Sequence, residues 1–590
     1  MVNQPIDAPR WDLSDLYSDI NDPKINIDIN DCQKIANAIA LSKSALKQSP
    51  ADIDLWVNTL EQYKQLVEID NRLQTYARMV GDQDTSNEDA IALQNSIDEK
   101  ITTISASLSF LSNFIIDLSD DDANKLYSHQ LVKDQYAEFI RNTRRQKAHT
   151  LPEDEEKILI QTLYRERQAW SQLQNQISTR IPYPDIKIDD KSINLNESTI
   201  NKYLESKNTD IRTKAYQSRC LGFEKEYETL SFIYINQNRN IRSEYQIRSY
   251  PDILSYISDR DDIPTGLIPN LFSSAKKYQS IFTEFYTWKA KELGVPMLTA
   301  SDVIAPLPQS IDQNFSWNQG KEMILTAFKD LNTDFSKIAN NFFTNNWIHA
   351  EPLPRKNTGA YCMPTVVHPY LLTNYQNNLS SINTLAHELG HGIHDSLAKK
   401  QSILQQHAGY IACETASQFS ELLLLNYLEK HEPQIYKFEL AQFLSRAMNA
   451  IFQQTLYTEF EFKAYTQASI QSLTPSWLAE QWINLRRELG KGSISFPDIE
   501  RWNWARISHM FFHPFYCYSY AVSLLIVFTL FQMHKENPIE FTKQFNDFLS
   551  AGGSQNDHEL LKKYFNLDLN DQEVLNRGFE ILKQYTKKLL

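Results

Sequence analysis

A chain of 590 residues with a net charge of −14 and only 14 glycines can bury a core without disulfide or metal staples, so a metal in it would serve chemistry rather than folding. The acidic balance argues against nucleic acid or an anionic membrane surface as the main partner. Scarce glycine and long polar–apolar periods predict a mainly α protein. The five cysteines, Cys32, Cys220, Cys362, Cys413 and Cys517, are odd in number, far apart in sequence and never in a C-x-x-C pair. That is the pattern of reduced thiols and predicts a cytoplasmic protein.

In chain order, the N-terminus "MVNQPIDAPRWDLSDLY" has no basic segment followed by an apolar one, so no signal peptide is readable. Residues 1–110 read as an N-terminal helical region with short polar breaks, and helical patterns continue to about Arg180. One of these, "LPEDEEKILIQTLYRERQAWSQLQNQI", has an acidic first turn after Pro152, as the helix dipole favours. Near Ile181, "IPYPDIKIDDKSINL" combines two prolines with apolar alternation and predicts a small hairpin. From Gly359 to Tyr375, "GAYCMPTVVHPYLLTNY" replaces helix formers with aromatic and β-branched residues, which predicts a strand at the rim of a site. The most apolar run, Ala521 to Phe531, falls short of the roughly 18 to 20 residues of a membrane span and reads as a buried core helix.

The stretch "TLAHELGHGIHDSL", Thr384 to Leu397, carries the chemistry. His387 and His391 stand four residues apart, about 40° around a helix, and can hold one ion through two imidazoles. Glu388 then faces the place of an attacking water as general base. Ile382, Leu385, Leu389, Ile393 and Leu397 give the same helix an apolar stripe, so its histidines should be largely buried and in need of partners. A third histidine, His394, lies roughly 10 Å along the axis from His387. The glycine turn that would bring it to the ion is absent, since Asp395-Ser396-Leu397 follows it. His394 is therefore read as supporting the ligands from outside. On the next predicted helix, "ACETASQFSELLLLNYLEK" places Glu414, Gln418 and Glu421 on one stripe. Glu414 is flanked by small residues, as where two helices pack closely, and is the expected third ligand, with Glu421 orienting a histidine ring.

Those residues, together with "RWDLSDLY" (Arg10 to Tyr17), "GAYC" at Gly359 and "WARISHMFFHPFYCYSY" (Trp504 to Tyr520), resemble the M3 family of zinc metallopeptidases, in its oligoendopeptidase F branch. The resemblance spans nearly the whole chain. It implies an elongated helical ellipsoid of two lobes with a deep substrate channel and a small β element near the active site. It also implies an oligopeptidase F-type helical domain over 111–200 and a catalytic domain over 201–590. One zinc ion per chain is implied, held by His387, His391 and Glu414.

The implied reaction is hydrolysis of internal bonds in short peptides, with zinc polarising the carbonyl and acidifying water and Glu388 moving the proton. Negative charge builds on the carbonyl oxygen, and the resemblance favours His509 as a donor to it, with Tyr516 and Tyr520 as the better-matching tyrosines. It leaves open which tyrosine acts, since Ser523 stands near the place where related thimet-type enzymes carry another. It also favours Gly359, Ala360 and Tyr361 as an edge that pairs with substrate backbone. Two alternatives remain: a zinc carboxypeptidase, which would need a basic anchor for a terminal carboxylate, and a helical peptide-binding protein without turnover.

Overall fold

The computed structural model describes residues 8–308 and 313–590. Helices dominate it, as expected, and the strands are short. The chain folds into two units, each assembled from separated stretches: residues 1–148, 312–433 and 530–568 in the first, and 149–311, 434–529 and 569–590 in the second.

The first unit begins with three long helices, Pro23–Gln48, Ile53–Gln83 and Glu88–Ser107. The polar breaks between them are caps: the carboxylates of Asp22 and Asp52 and the amide oxygen of Asn87 accept the first free helix N–H groups. Cys32, Ile39, Trp56, Leu60, Leu73 and Ile101 close the core between these helices, and that core continues through Met363, Tyr370 and Leu372 of a small sheet.

In that sheet Tyr370–Leu372 is central, parallel to Ile348–His349 and antiparallel to the edge strand Tyr361–Met363. The single strand expected over Gly359 to Tyr375 is thus two strands. Pro364 and Pro369, which lack an N–H for a ladder, bracket the reversal between them. Beside the sheet, Lys356 Nζ donates to the carbonyls of His349, Glu351 and Thr373 at 3.0, 2.8 and 2.7 Å, substituting for ladder bonds.

In the second unit, Tyr183–Ile188 and Lys191–Leu195 form the expected antiparallel hairpin. Its turn residues Asp189 and Asp190 sit at φ of 47° and 62°, a left-handed pair that matches the twist of the strands. The acidic-start helix after Pro152 is interrupted: Glu153–Leu159 leads through a π turn, Ile160–Tyr164, into Arg165–Arg180. The run Ala521–Phe531 is buried, within the helix Tyr518–Glu536. Among the described residues no single helix is long and apolar enough to cross a membrane. All five cysteines are free.

Candidate metal centre and active site

The motif lies on the helix Leu379–Ala398, opened by Asn378, whose side chain accepts from the Ser381 N–H. Ile382, Leu385, Leu389 and Ile393 are fully buried and fix the helix rotation, while Leu397 is half-buried. The opposite stripe therefore presents His387 and His391 together, with ring centroids 5.0 Å apart and planes at 76°.

The second helix, Tyr410–His431, brings Glu414 Oε2 to 3.6 Å from His387 Nε2 and 3.8 Å from His391 Nε2. The three donor atoms lie within 4.8 Å of one another, and they form the sole group of three potential metal ligands among the described residues. Gly390 sets this approach. A Cβ there would stand 2.6 Å from both the Ala416 carbonyl oxygen and the Ser417 Cα, so only glycine lets the helices close to this separation. Two imidazole nitrogens and one carboxylate oxygen at such range are a donor set that fits zinc.

Each ligand is braced from behind. His387 Nδ1 is 2.7 Å from Glu421 Oε1, which leaves Nε2 facing the other donors. His391 hydrogen-bonds the backbone of Cys413, whose Sγ lies 3.9 Å from its Nδ1. Ser417 Oγ donates to Glu414 Oε2 at 3.2 Å. Burial works against a charge on His387, but the Glu421 hydrogen bond and the surrounding carboxylates outweigh it and push its pKa up to about 9. Burial, then the charge of His387, holds His391 well below the usual imidazole range.

Glu388 is 7 % exposed. Burial pushes its pKa up to about 7; His387 pulls it down, Glu414 and Glu421 push it further up, and a backbone hydrogen bond from Cys362 pulls it down. His394 is 4 % exposed and outside the donor group; burial, then His407, lowers it to about 4.

The edge strand thus meets the site through its backbone. Gly359 and Ala360 lie exposed just before it. The Gly359 N–H donates to Asn357 Oδ1 at 2.9 Å, and its carbonyl accepts from Asn374 at 3.2 Å. Tyr361 donates its hydroxyl to Asp82 at 2.7 Å under a cation–π contact with Arg78. Cys362 Sγ sits 3.4 Å from Asp395 Oδ2, a carboxylate that burial raises to about 7. Gly390, the Cys362 N–H and the Cys413 backbone escaped the sequence reading. The glycine between Glu388 and His391 was the one visible signal, because a backbone group leaves no mark in residue identity.

In the second unit, His509–Phe512 forms a short helix followed by a reversal into Tyr518–Glu536. Phe515 adopts φ 61°, and its N–H donates to both oxygens of buried Glu461 at 3.0 and 3.1 Å. Arg260 donates to the Pro514 carbonyl at 3.0 Å, which gives His513-Pro514 a turn-forming place. His509, Tyr516 and Tyr520 come together here. Tyr520 Oη is 3.3 Å from His509 Nε2, and the His509 and Tyr516 rings stack at 5.7 Å and 9°. Burial lowers the pKa of His509, which favours its neutral form. Ser523 is fully buried and its hydroxyl donates to the Ser519 carbonyl at 2.7 Å, back along its own helix.

Comparison with known proteins places the chain in a family. The model of Peptidase family M3 matches residues 202–581, and the model described as Oligopeptidase F matches residues 115–183. Oligopeptidase PepF of Bacillus subtilis is 24% identical over 589 residues, covering 97% of this chain and 86% of its own. An oligoendopeptidase F homolog of Borreliella burgdorferi is 24% identical over 595 residues, covering 98% of each. Among solved structures, one from Chlamydophila abortus superposes with a TM-score of 0.85 at 23% identity, covering 98% of this chain and 97% of that one. Oligoendopeptidase-F from Enterococcus faecium gives 0.73 at 18% identity, covering 96% and 98%.

Proposed function

The chain belongs to peptidase family M3, and from that premise we propose that it is a zinc endopeptidase that hydrolyses internal bonds of short peptides. The observation that carries this reading is the buried Glu388 carboxyl beside the His387, His391 and Glu414 donor group. These three side chains would hold the zinc, with Glu421 and the Cys413 backbone fixing the two imidazoles. When bound, zinc supplies Lewis acidity toward the scissile carbonyl and makes water more acidic.

Glu388 then serves as the proton carrier: its carboxylate removes a proton from the attacking water and returns it to the leaving amine. The hydrogen bond from Cys362 keeps that carboxylate oriented. His509 and Tyr520, with Tyr516 packed against them, donate hydrogen bonds to the carbonyl oxygen as charge builds there. Gly359 and Ala360 offer an edge to the substrate backbone. The Tyr361 side chain is engaged by Asp82, so its part in binding substrate is through its main chain. His394 supports the motif helix as a buried neutral ring. Five free cysteines support a reducing compartment, the cytoplasm, as the place of action.

Glu388→Gln tests the base. Zinc content should be retained while cleavage of an internally quenched peptide falls by about 10²–10⁴-fold; undiminished cleavage would sink the assignment. The same peptide with a free or amidated C-terminus separates endopeptidase from carboxypeptidase action. Both forms should be cut, and loss of cleavage on amidation would favour the carboxypeptidase.

A further inference from the structure

A cavity of about 390 Å³ in the second unit has a wall with four arginines drawn from four segments: Arg219 on Thr209–Lys225, Arg446 on Pro433–Met448, Arg486 on Pro475–Gly490 and Arg506 at the end of Asp498–Arg506. Two are compensated locally. Arg446 donates to Glu439 at 2.9 Å, and Arg486 donates through Nε to Glu500 at 3.1 Å and through its other arm to Gln453. Glu500 is the one carboxylate on the wall, and Asn503 also donates to it.

Arg219 and Arg506 are compensated only at a distance, Arg219 by the charge of Glu197 and Arg506 by that of Glu500. Neither enters an ion pair among the described residues, and the Nε of each is a buried donor without an acceptor there. The Arg219 guanidinium instead lies over the Tyr216 ring at 5.4 Å. Burial, and then the charge of Arg506, lowers the pKa of Arg219 to about 10, against the opposing charge of Glu197. Trp482 adds a third unanswered buried donor, its indole Nε1–H. Access exists, because Ile304 on the same wall is 48% exposed and the Arg446 side chain 45%.

Planar guanidinium forks complement an anion with several acceptor oxygens, and two cations without a direct ion pair suit a dianion better than a single carboxylate. The volume lies in the range of small-ligand sites, above what one bare ion fills. We propose that this cavity binds a phosphoryl dianion, free or as the ester of a small metabolite, received by Arg219 and Arg506. None of its residues belongs to the metal centre, and the inference does not rest on peptidase activity.

The test uses the full zinc-loaded chain. Inorganic phosphate, a nucleoside monophosphate and chloride at matched ionic strength are compared as protectants of arginines against phenylglyoxal, read residue by residue by mass spectrometry. Phosphate or the ester should slow labelling of Arg219 and Arg506 by roughly fivefold or more while exposed Arg355 labels at an unchanged rate. Stronger protection by the ester identifies a phosphorylated metabolite, and stronger protection by phosphate identifies the free anion. Protection by neither, or equal protection by chloride, overturns the proposal. In calorimetry, Arg219→Gln and Arg506→Gln should each weaken binding about tenfold, with near-ultraviolet circular dichroism reporting an intact fold. Unchanged affinity in folded variants also overturns it, and if neither variant folds the labelling of the unaltered chain decides.

Discussion

Burial pushes the pKa of the Glu388 carboxyl up to about 7. A divalent cation at the adjacent donors favours the charged form, so in the zinc-loaded enzyme the carboxylate persists to lower pH. The base must be unprotonated to act. Peptide cleavage should therefore fall on the acid side with a midpoint below about 7, seen in kcat/KM against pH, and a midpoint above that value would contradict the assignment. Glu421 acts one step removed. Glu421→Gln keeps a hydrogen-bonding oxygen for His387 Nδ1 but removes the charge that favours its proton. Zinc affinity should drop about 10–100-fold, measured by competition with a chelator, while cleavage at saturating zinc is largely restored. At this scale the sequence was most legible: His387, Glu388 and His391 are a motif whose spacing states its geometry. Glu414 could be picked out because Ala412, Thr415, Ala416 and Ser417 around it signalled a close helix contact.

Between elements, the site is a contact of two helices at a separation set by Gly390. A larger side chain meets backbone atoms of the facing helix, the Ala416 carbonyl and the Ser417 Cα, which cannot rotate away. Gly390→Val should push Glu414 from the two imidazoles and cost both zinc binding and about 1–3 kcal/mol of stability from overpacking, checked by metal analysis and denaturant unfolding. Retained zinc stoichiometry with native stability would show that the helices tolerate a wider gap. Here the sequence was legible in part. Turn residues and alternation in "IPYPDIKIDDKSINL" located the hairpin, because Asp189 and Asp190 suit left-handed turn positions. At Gly359 to Tyr375 the enrichment in aromatic and β-branched residues signalled strand but not the reversal within it, because residue type alone does not divide one extended run into two strands of three residues each. The π turn at Ile160–Tyr164 is a single wide turn within a helical run and carries no residue signature of its own.

For the whole molecule, the proposed zinc site ties metal binding to the first unit, which contains all three donors. The metal-free protein should melt lower, with added zinc restoring about 2.7 kcal/mol at a free concentration of 100 Kd. Glu414→Gln should lose most of that response in calorimetry, and an equal response would place the zinc elsewhere. The division into units was not legible, because each combines stretches hundreds of residues apart and no composition shift marks where the chain passes between them. That interleaving bears on birth as much as on architecture. The second unit is completed by residues 569–590, whose helix Gln572–Leu589 buries Phe579 and Leu582. A nascent chain leaves the ribosome from its N-terminus at roughly 5–20 residues per second, so the metal-binding unit has all of its segments before the other does. The second unit gains residues 569–590 only after every segment of the metal-binding unit has been made, so the two units complete their folding in that order.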